Sequence, residues 1–129
     1  MKPQFADTSF FVSYLNPRDP KHDLAFDYMA RSPDPIVTTV WVLSELGNFL
    51  AESPNRRLFA PLVRSLRAEP RVTIIPANDA LFDRGLELYA RRSDKEWSII
   101  DCISFLVMKD RGISDALTED HHFEQAGFK

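Results

Sequence analysis

Cysteine is almost absent from this chain of 129 residues, because Cys102 is the only one. An internal disulfide is therefore impossible, and we expect a reducing, cytoplasmic environment. No stretch reaches the ~18 consecutive apolar residues that a membrane helix needs, and residues 1–7 lack the apolar segment of a signal peptide. Internal repeats, low-complexity segments and linkers are missing too, so we predict one domain over residues 1–129 without membrane contact.

The chain also lacks a basic excess, because it has 16 Lys and Arg residues and 19 Asp and Glu residues, which gives a net charge of -3. Taken alone, this balance disfavours a nucleic-acid-binding protein, which usually carries a basic excess for phosphate contact. A metal-dependent nuclease is a partial exception, because its acidic site adds negative charge and its bound cations reverse the local field. The content of 44% hydrophobic and 27% charged residues is that of an ordinary globular protein.

The pattern along the chain alternates short β-branched or apolar runs with helical periodicity. The predicted strands are a short one that ends before Asp7, then 36–39, 72–75 and 116–118. The predicted helices cover 10–15, 23–31, 40–52, 55–68, 79–92, 98–112 and 121–125. We expect Ser9 to cap the first helix, and we expect the third helix to be buried because it is apolar almost all round. This alternation predicts a parallel sheet covered on both faces, with ligands at the carboxyl ends of its strands.

Four acidic residues occupy positions that such a sheet brings to one edge. Asp7 follows the first strand and Asp120 follows the last, while Asp101 begins a buried helix and Glu45 points to the interior or rim of another. Carboxylate oxygens are the ligands of hard cations such as Mg²⁺ and Mn²⁺. Such cations relieve the mutual repulsion, activate a water and neutralise phosphate charge. The four acids therefore predict a metal site for phosphodiester hydrolysis.

Each acid also has a purely structural interpretation. Asp101 and Ser98 form an S-x-x-D capping box, and Asp120 could cap the helical turn that follows it. Asp7 could be an ordinary loop residue before a helix. Glu45 could pair with a polar neighbour, although an acid in a nearly all-apolar helix is uncommon. Only the joint placement of the four favours a site.

Other features are less specific. His121 and His122 are favoured as a solvated or substrate-facing pair over a zinc site, because we expect adjacent side chains on a helix to diverge and no Cys or further His joins them. Cys102 is favoured as a small core residue over a nucleophile. A basic helix face, either solvated or in contact with RNA or an acidic partner, is formed by Arg56, Arg57, Arg64 and Arg67.

With these residues the chain resembles a known family, the PIN domains, and within that family the VapC-like toxins of toxin–antitoxin pairs. The resemblance runs from Asp7 to Phe128. The motifs that carry it are Asp7-Thr8-Ser9, Ser44-Glu45, Trp97-Ser98-Ile99-Ile100-Asp101-Cys102, Leu117-Thr118-Glu119-Asp120-His121-His122-Phe123 and the ending Phe123-Glu124-Gln125-Ala126-Gly127-Phe128.

The resemblance implies a three-layer α/β/α sandwich on a central parallel sheet of four to five strands. It implies a Mg²⁺- or Mn²⁺-dependent endoribonuclease that forms a homodimer and is blocked by a cognate antitoxin, in which a segment inserts a basic side chain among the acids. The catalytic carboxylates would be Asp7, Glu45, Asp101 and Asp120, with Asp7 and Asp101 as direct metal ligands. Ser9 and Thr118 would be supporting hydroxyls.

The chain departs from the family pattern in two places. Ile100 stands where the family often has threonine, and the sequence stops at Lys129, just after Gly127-Phe128, where the family commonly continues into a last edge strand. The alternative function is a non-catalytic PIN-like module that binds RNA or protein. An aspartyl phosphotransferase with Asp7 as nucleophile is disfavoured, because its usual D-x-D signature is absent: Thr8-Ser9 follows Asp7.

Overall fold

A computed structural model describes residues 1–129 and contains one sheet of four parallel strands. The strands are β1 (Gln4–Ala6), β2 (Ile36–Thr39), β3 (Val72–Ile75) and β4 (Asp115–Leu117), in the order β3-β2-β1-β4. All four residues of β2 are buried, as expected for an interior strand covered on both faces. Because all strands are parallel, their carboxyl ends meet at one edge, which is where β1 runs into Asp7 and β4 into Thr118.

Helices connect the strands and enclose the sheet, which confirms the predicted α/β/α sandwich with four strands. Their bounds are α1 (Thr8–Leu15), α2 (His22–Arg31), α3 (Val40–Leu50), α4 (Phe59–Ala68), α5 (Asp79–Arg91), α6 (Ile99–Asp110) and α7 (His122–Gln125), with a short 3₁₀ helix at Pro54–Leu58. None of them has the length and apolar character that crossing a lipid bilayer requires.

In the core, fully buried side chains pack the helices against the sheet. Phe5 of β1, Leu46 of α3, Met108 of α6 and Phe123 of α7 are all 0% exposed. The Phe5 and Phe123 rings lie 6.2 Å apart, so the short last helix is anchored directly on the central strand. Cys102 is also fully buried, as predicted, and burial raises the pKa of its thiol to about 11.

Two helix ends have well-defined caps. The Asn78 side chain accepts a hydrogen bond from the Leu81 backbone at 2.8 Å, which caps α5. Gly112 follows α6 with φ of 65°, a left-handed conformation that glycine adopts at little cost.

Four local predictions are wrong. α1 begins at Thr8, with Asp7 at the N-cap position, because the Ser9 hydroxyl is engaged in a tertiary hydrogen bond. The predicted helix over 55–68 is split, since Ser53 and Pro54 start a 3₁₀ turn before α4. The third helix is buried on one side only, since Phe49 is 63% exposed. The last strand covers 115–117 instead of 116–118.

Candidate active site

Asp7 lies at the carboxyl end of the central strand and is almost completely buried, with 4% exposure. Its backbone N–H donates to the Leu117 carbonyl at 3.1 Å, so the ladder between β1 and β4 fixes its position. The Thr118 hydroxyl donates to Asp7 Oδ2 at 3.1 Å. A buried carboxylate without a cationic side-chain partner is costly, and such groups are concentrated at functional sites.

Glu45 approaches this strand end from α3, which starts directly after β2. Its carboxylate accepts a hydrogen bond of 2.5 Å from the hydroxyl of Thr8, the residue next to Asp7. The half-buried Glu45 therefore reaches the same edge of the sheet as Asp7. The expected position at the rim of the interior is observed.

Asp101 has two roles in the geometry of the site. It closes the capping box of α6, since Asp101 Oδ2 accepts from the Ser98 backbone and Ser98 Oγ accepts from the Asp101 backbone, both at 3.0 Å. The same Oδ2 lies 3.1 Å from His122 Nδ1. Oδ1 makes no hydrogen bond within the chain, so the cap orients the carboxylate and leaves one oxygen for a ligand. The capping interpretation is right but incomplete.

Asp120 is attached to the other acids by a hydroxyl and an imidazole. Its backbone N–H donates to Thr118 Oγ1 at 2.9 Å, and its Oδ1 lies 3.2 Å from His122 Nδ1. The His122 backbone also donates to Oδ1 at 2.9 Å, so Asp120 does cap the turn before α7. One imidazole thus lies within hydrogen-bond distance of both Asp101 and Asp120.

Two hydroxyls complete the network. Ser9 Oγ and Thr118 Oγ1 are 3.1 Å apart, and Ser9 Oγ accepts from the Glu119 backbone at 2.9 Å. Because the Thr118 proton goes to Asp7, Ser9 is the donor between the two hydroxyls. The structure places both predicted hydroxyls beside the acids, with Thr118 linking Asp7 to Asp120.

The electrostatics of the site show a negative cluster without a Lys or Arg partner. Burial, together with the charges of Asp101 and Glu45, raises the pKa of Asp7 from 3.8 to about 7. Burial and the charge of Asp120 also raise the pKa of Asp101, partly offset by hydrogen bonds from the Ser98 backbone and His122. No Lys or Arg forms an ion pair with any of the four acids. Hard oxygen donors without a Lys or Arg counter-charge fit a divalent cation.

The four acids form a chain of neighbours rather than a closed cage. The one group of three or more possible metal ligands whose ligand atoms all lie within 4.8 Å of one another is Asp120, His121 and His122. A groove of about 360 Å³ borders the site through Thr118 and Glu119. The acids are therefore brought to one edge of the sheet, where hydroxyls and one imidazole link them.

The contact of His122 with the acids was not predicted. The two adjacent histidine rings were expected to diverge, and this is wrong, because their centroids are 4.6 Å apart. The available signal was the position of His122, two residues after a turn-capping aspartate, which turns its side chain back toward that carboxylate.

The PIN domain family model matches residues 5–129. The chain belongs to the PIN domain family. It is 31% identical over 124 residues to the "23S rRNA-specific endonuclease VapC20" of Mycobacterium tuberculosis. This match covers 96% of this chain and 94% of that protein. The crystal structure of that toxin, described as "Sarcin-Ricin loop cleaving", matches with a TM-score of 0.85 and 30% identity over 97% of this chain and 95% of that one.

A second solved structure, FitAcB from Neisseria gonorrhoeae, matches with a TM-score of 0.62 and 19% identity over 95% of this chain and 91% of that one, and supports the fold alone. PIN domains are metal-dependent nucleases, and VapC toxins act on RNA and pair with antitoxins. These relationships confirm the prediction of a metal-dependent endoribonuclease of the VapC toxin type.

Proposed function

We propose that Asp7, Glu45, Asp101 and Asp120 form the catalytic centre of this PIN nuclease and that Asp7 and Asp101 hold the divalent cation, Mg²⁺ or Mn²⁺. The observation that carries the proposal is the burial of Asp7, with its raised pKa, beside two other acids and no Lys or Arg partner. When bound, the cation supplies Lewis-acid activation of water and neutralises charge on the scissile phosphate.

The remaining polar groups keep the carboxylates in place. Thr118 donates to Asp7 and accepts from the Asp120 backbone, so a single hydroxyl fixes the distance between two acids. Ser98 holds Asp101 through the capping box. Such supporting hydrogen bonds typically change metal affinity or activity by about 10- to 100-fold when they are removed.

We infer that the substrate is a loop of ribosomal RNA, which would place the enzyme in the cytoplasm. Support comes from the similarity to VapC20 over nearly the whole chain. The test is cleavage of a sarcin–ricin hairpin RNA, with an unrelated hairpin of equal length as control, in Mg²⁺ or Mn²⁺ and in EDTA. We expect EDTA to abolish cleavage, and we expect the Asp7→Ala and Asp101→Ala variants to be inactive. Asp83→Asn, at an exposed position of α5, should cleave like the wild type.

Cleavage that survives EDTA or both alanine variants would refute the metal mechanism. Tight RNA binding without cation-dependent cleavage would favour the non-catalytic PIN-like module instead. Equal cleavage of both hairpins would contradict the assignment of the substrate, while it would leave the nuclease mechanism intact.

We propose that the antitoxin inhibits by inserting a basic side chain among the four acids. The absence of any Lys or Arg ion pair within this cluster supports such a contact, because an external cation would offset the negative charge around the buried Asp7. Replacement of that basic residue by Gln in the co-purified antitoxin should restore nuclease activity. A wild-type antitoxin that binds and leaves cleavage intact would contradict the proposal.

We propose that a second copy of the chain covers the exposed face of α5. Phe82, Leu86 and Tyr89 follow one another at helical spacing and are 41%, 50% and 51% exposed. Apolar side chains grouped on one exposed helix face usually mark an interface. Leu86→Glu should shift the sedimentation profile to the monomer, whereas Leu24→Glu, at an exposed position on α2, should not. A dimer that is equally stable in both variants would place the interface elsewhere.

A further inference from the structure

Two imidazoles and one carboxylate lie together at the beginning of α7, beside the proposed nuclease centre. The possible ligand atoms of Asp120, His121 and His122 all lie within 4.8 Å of one another. His122 Nδ1 is 3.2 Å and His121 Nδ1 is 3.9 Å from the same oxygen, Asp120 Oδ1. This arrangement differs from the all-carboxylate set, because two of its three donors are nitrogens.

The donor chemistry and the spacing suit a transition-metal ion. Zn²⁺ binds imidazole nitrogen and carboxylate oxygen at about 2.0–2.2 Å in tetrahedral geometry, which separates neighbouring ligand atoms by about 3.3 Å. The observed separations of 3.2 and 3.9 Å are close to this value, so small side-chain rotations would complete the set. Nitrogen donors also favour zinc over magnesium, which prefers oxygen alone.

The backbone that carries these residues is held in place. The His122 backbone donates to Asp120 Oδ1, and the neighbouring Phe123 is fully buried against Phe5. At the same time the His121 side chain is 73% exposed, so the group is open to ions from solution. The fixed backbone lowers the entropic cost of bringing three ligands to one ion.

We propose that Asp120, His121 and His122 form a binding site for Zn²⁺ or a comparable divalent transition-metal ion, and that occupancy of this site inhibits the nuclease. The inhibitory part rests on the proposed function. Ligation of Asp120 and His122 withdraws one acid from the catalytic set and removes the imidazole that lies 3.1 Å from Asp101 Oδ2. The site therefore couples zinc concentration to RNA cleavage.

The binding test uses metal-free protein, Zn²⁺ and a chromogenic chelator that competes for the ion. We expect one Zn²⁺ per chain in the wild type and at least about tenfold weaker binding in His121→Gln, since one of three protein ligands is lost. His22→Gln is the matched control, because it removes the third histidine of the chain at α2, where His22 Nδ1 lies 2.9 Å from the Ser13 carbonyl. Circular dichroism checks that both variants are folded.

Equal Zn²⁺ affinity in His121→Gln and wild type, or no binding in the wild type, would overturn the site. Visible spectra with Co²⁺ in place of Zn²⁺ give a second readout, and intense four-coordinate bands that vanish in His121→Gln support it. For inhibition, cleavage in Mg²⁺ is measured against rising Zn²⁺, relative to each protein's own zinc-free rate. Inhibition should require at least about tenfold more Zn²⁺ in His121→Gln.

Zinc inhibition at the same concentration in both proteins would overturn the inhibitory link. A protein that binds Zn²⁺ as expected but never cleaves RNA would refute the proposed function and the inhibition that rests on it, and would leave the metal site supported.

Discussion

Replacing Asp7 by Asn should stabilise the metal-free protein while it destroys activity. Asp7 is 4% exposed, and its pKa is raised from 3.8 to about 7, first by burial and then by the charges of Asp101 and Glu45. Between pH 3.8 and about pH 7, the folded chain keeps a proton on Asp7 that the unfolded chain has released. The free energy of unfolding therefore falls as pH rises from about 4 to about 7, and this contribution is constant above that range.

The size of the effect follows from the pKa difference. At about 1.36 kcal/mol per pH unit, a change from 3.8 to about 7 corresponds to a penalty on the order of 4 kcal/mol at pH values above 7. Asn has nearly the same shape, is neutral at every pH and can still accept the Thr118 hydrogen bond. Burial of its amide N–H groups reduces the gain, so we expect about 2–4 kcal/mol.

The assay is urea unfolding of wild type and Asp7→Asn in EDTA at about pH 4 and about pH 8. The two proteins should be similar at the lower pH, and the variant should be more stable at the higher pH. Asp83→Asn, which makes the same chemical change on an exposed side chain of α5, should match wild type at both. A variant that is no more stable than wild type at about pH 8 would show that Asp7 is not a strained buried carboxylate.

Three further predictions concern α6 and its neighbour α5. Ser98→Ala removes half of the capping box and should cost about 1 kcal/mol in urea unfolding, and it should also lower cleavage because Asp101 loses its orientation. Ser104→Ala should raise the melting temperature or leave it unchanged, because the buried Ser104 hydroxyl has no hydrogen-bond partner. Gly85→Ala should cost about 1–3 kcal/mol in urea unfolding, despite the higher helix propensity of Ala, because the new Cβ would lie 2.5 Å from Ile103 Cγ1.

The sequence predicted the fold well wherever short-range physics decides the outcome. β2 and β3 were predicted with their observed bounds, because β-branched runs between breakers have few alternatives. The errors occur where tertiary contacts take over. Ser9 has the composition of an N-cap, yet its hydroxyl is used by the Glu119 backbone 110 residues away, and no local pattern reports that bond.

The exposure of Phe49 was unpredictable for a related reason. A helix with apolar residues on every side is compatible with complete burial, and only the assembled layers show that one side remains uncovered. The same limit applies to His122. His122 contacts Asp101 only because α6 and the turn before α7 lie side by side in the folded chain. The sequence separation of Asp101 and Asp120 does not predict that proximity.

A structural role does not exclude the proposed catalytic role for Asp101 and Asp120. Asp101 caps α6 and Asp120 caps the turn before α7, and both carboxylates also face His122 at the same edge of the sheet. A cap uses one carboxylate oxygen and fixes the direction of the other. Capping therefore orients these two carboxylates. Asp7, whose side chain makes no capping bond, is held instead by the Thr118 hydroxyl, and burial raises its pKa to about 7.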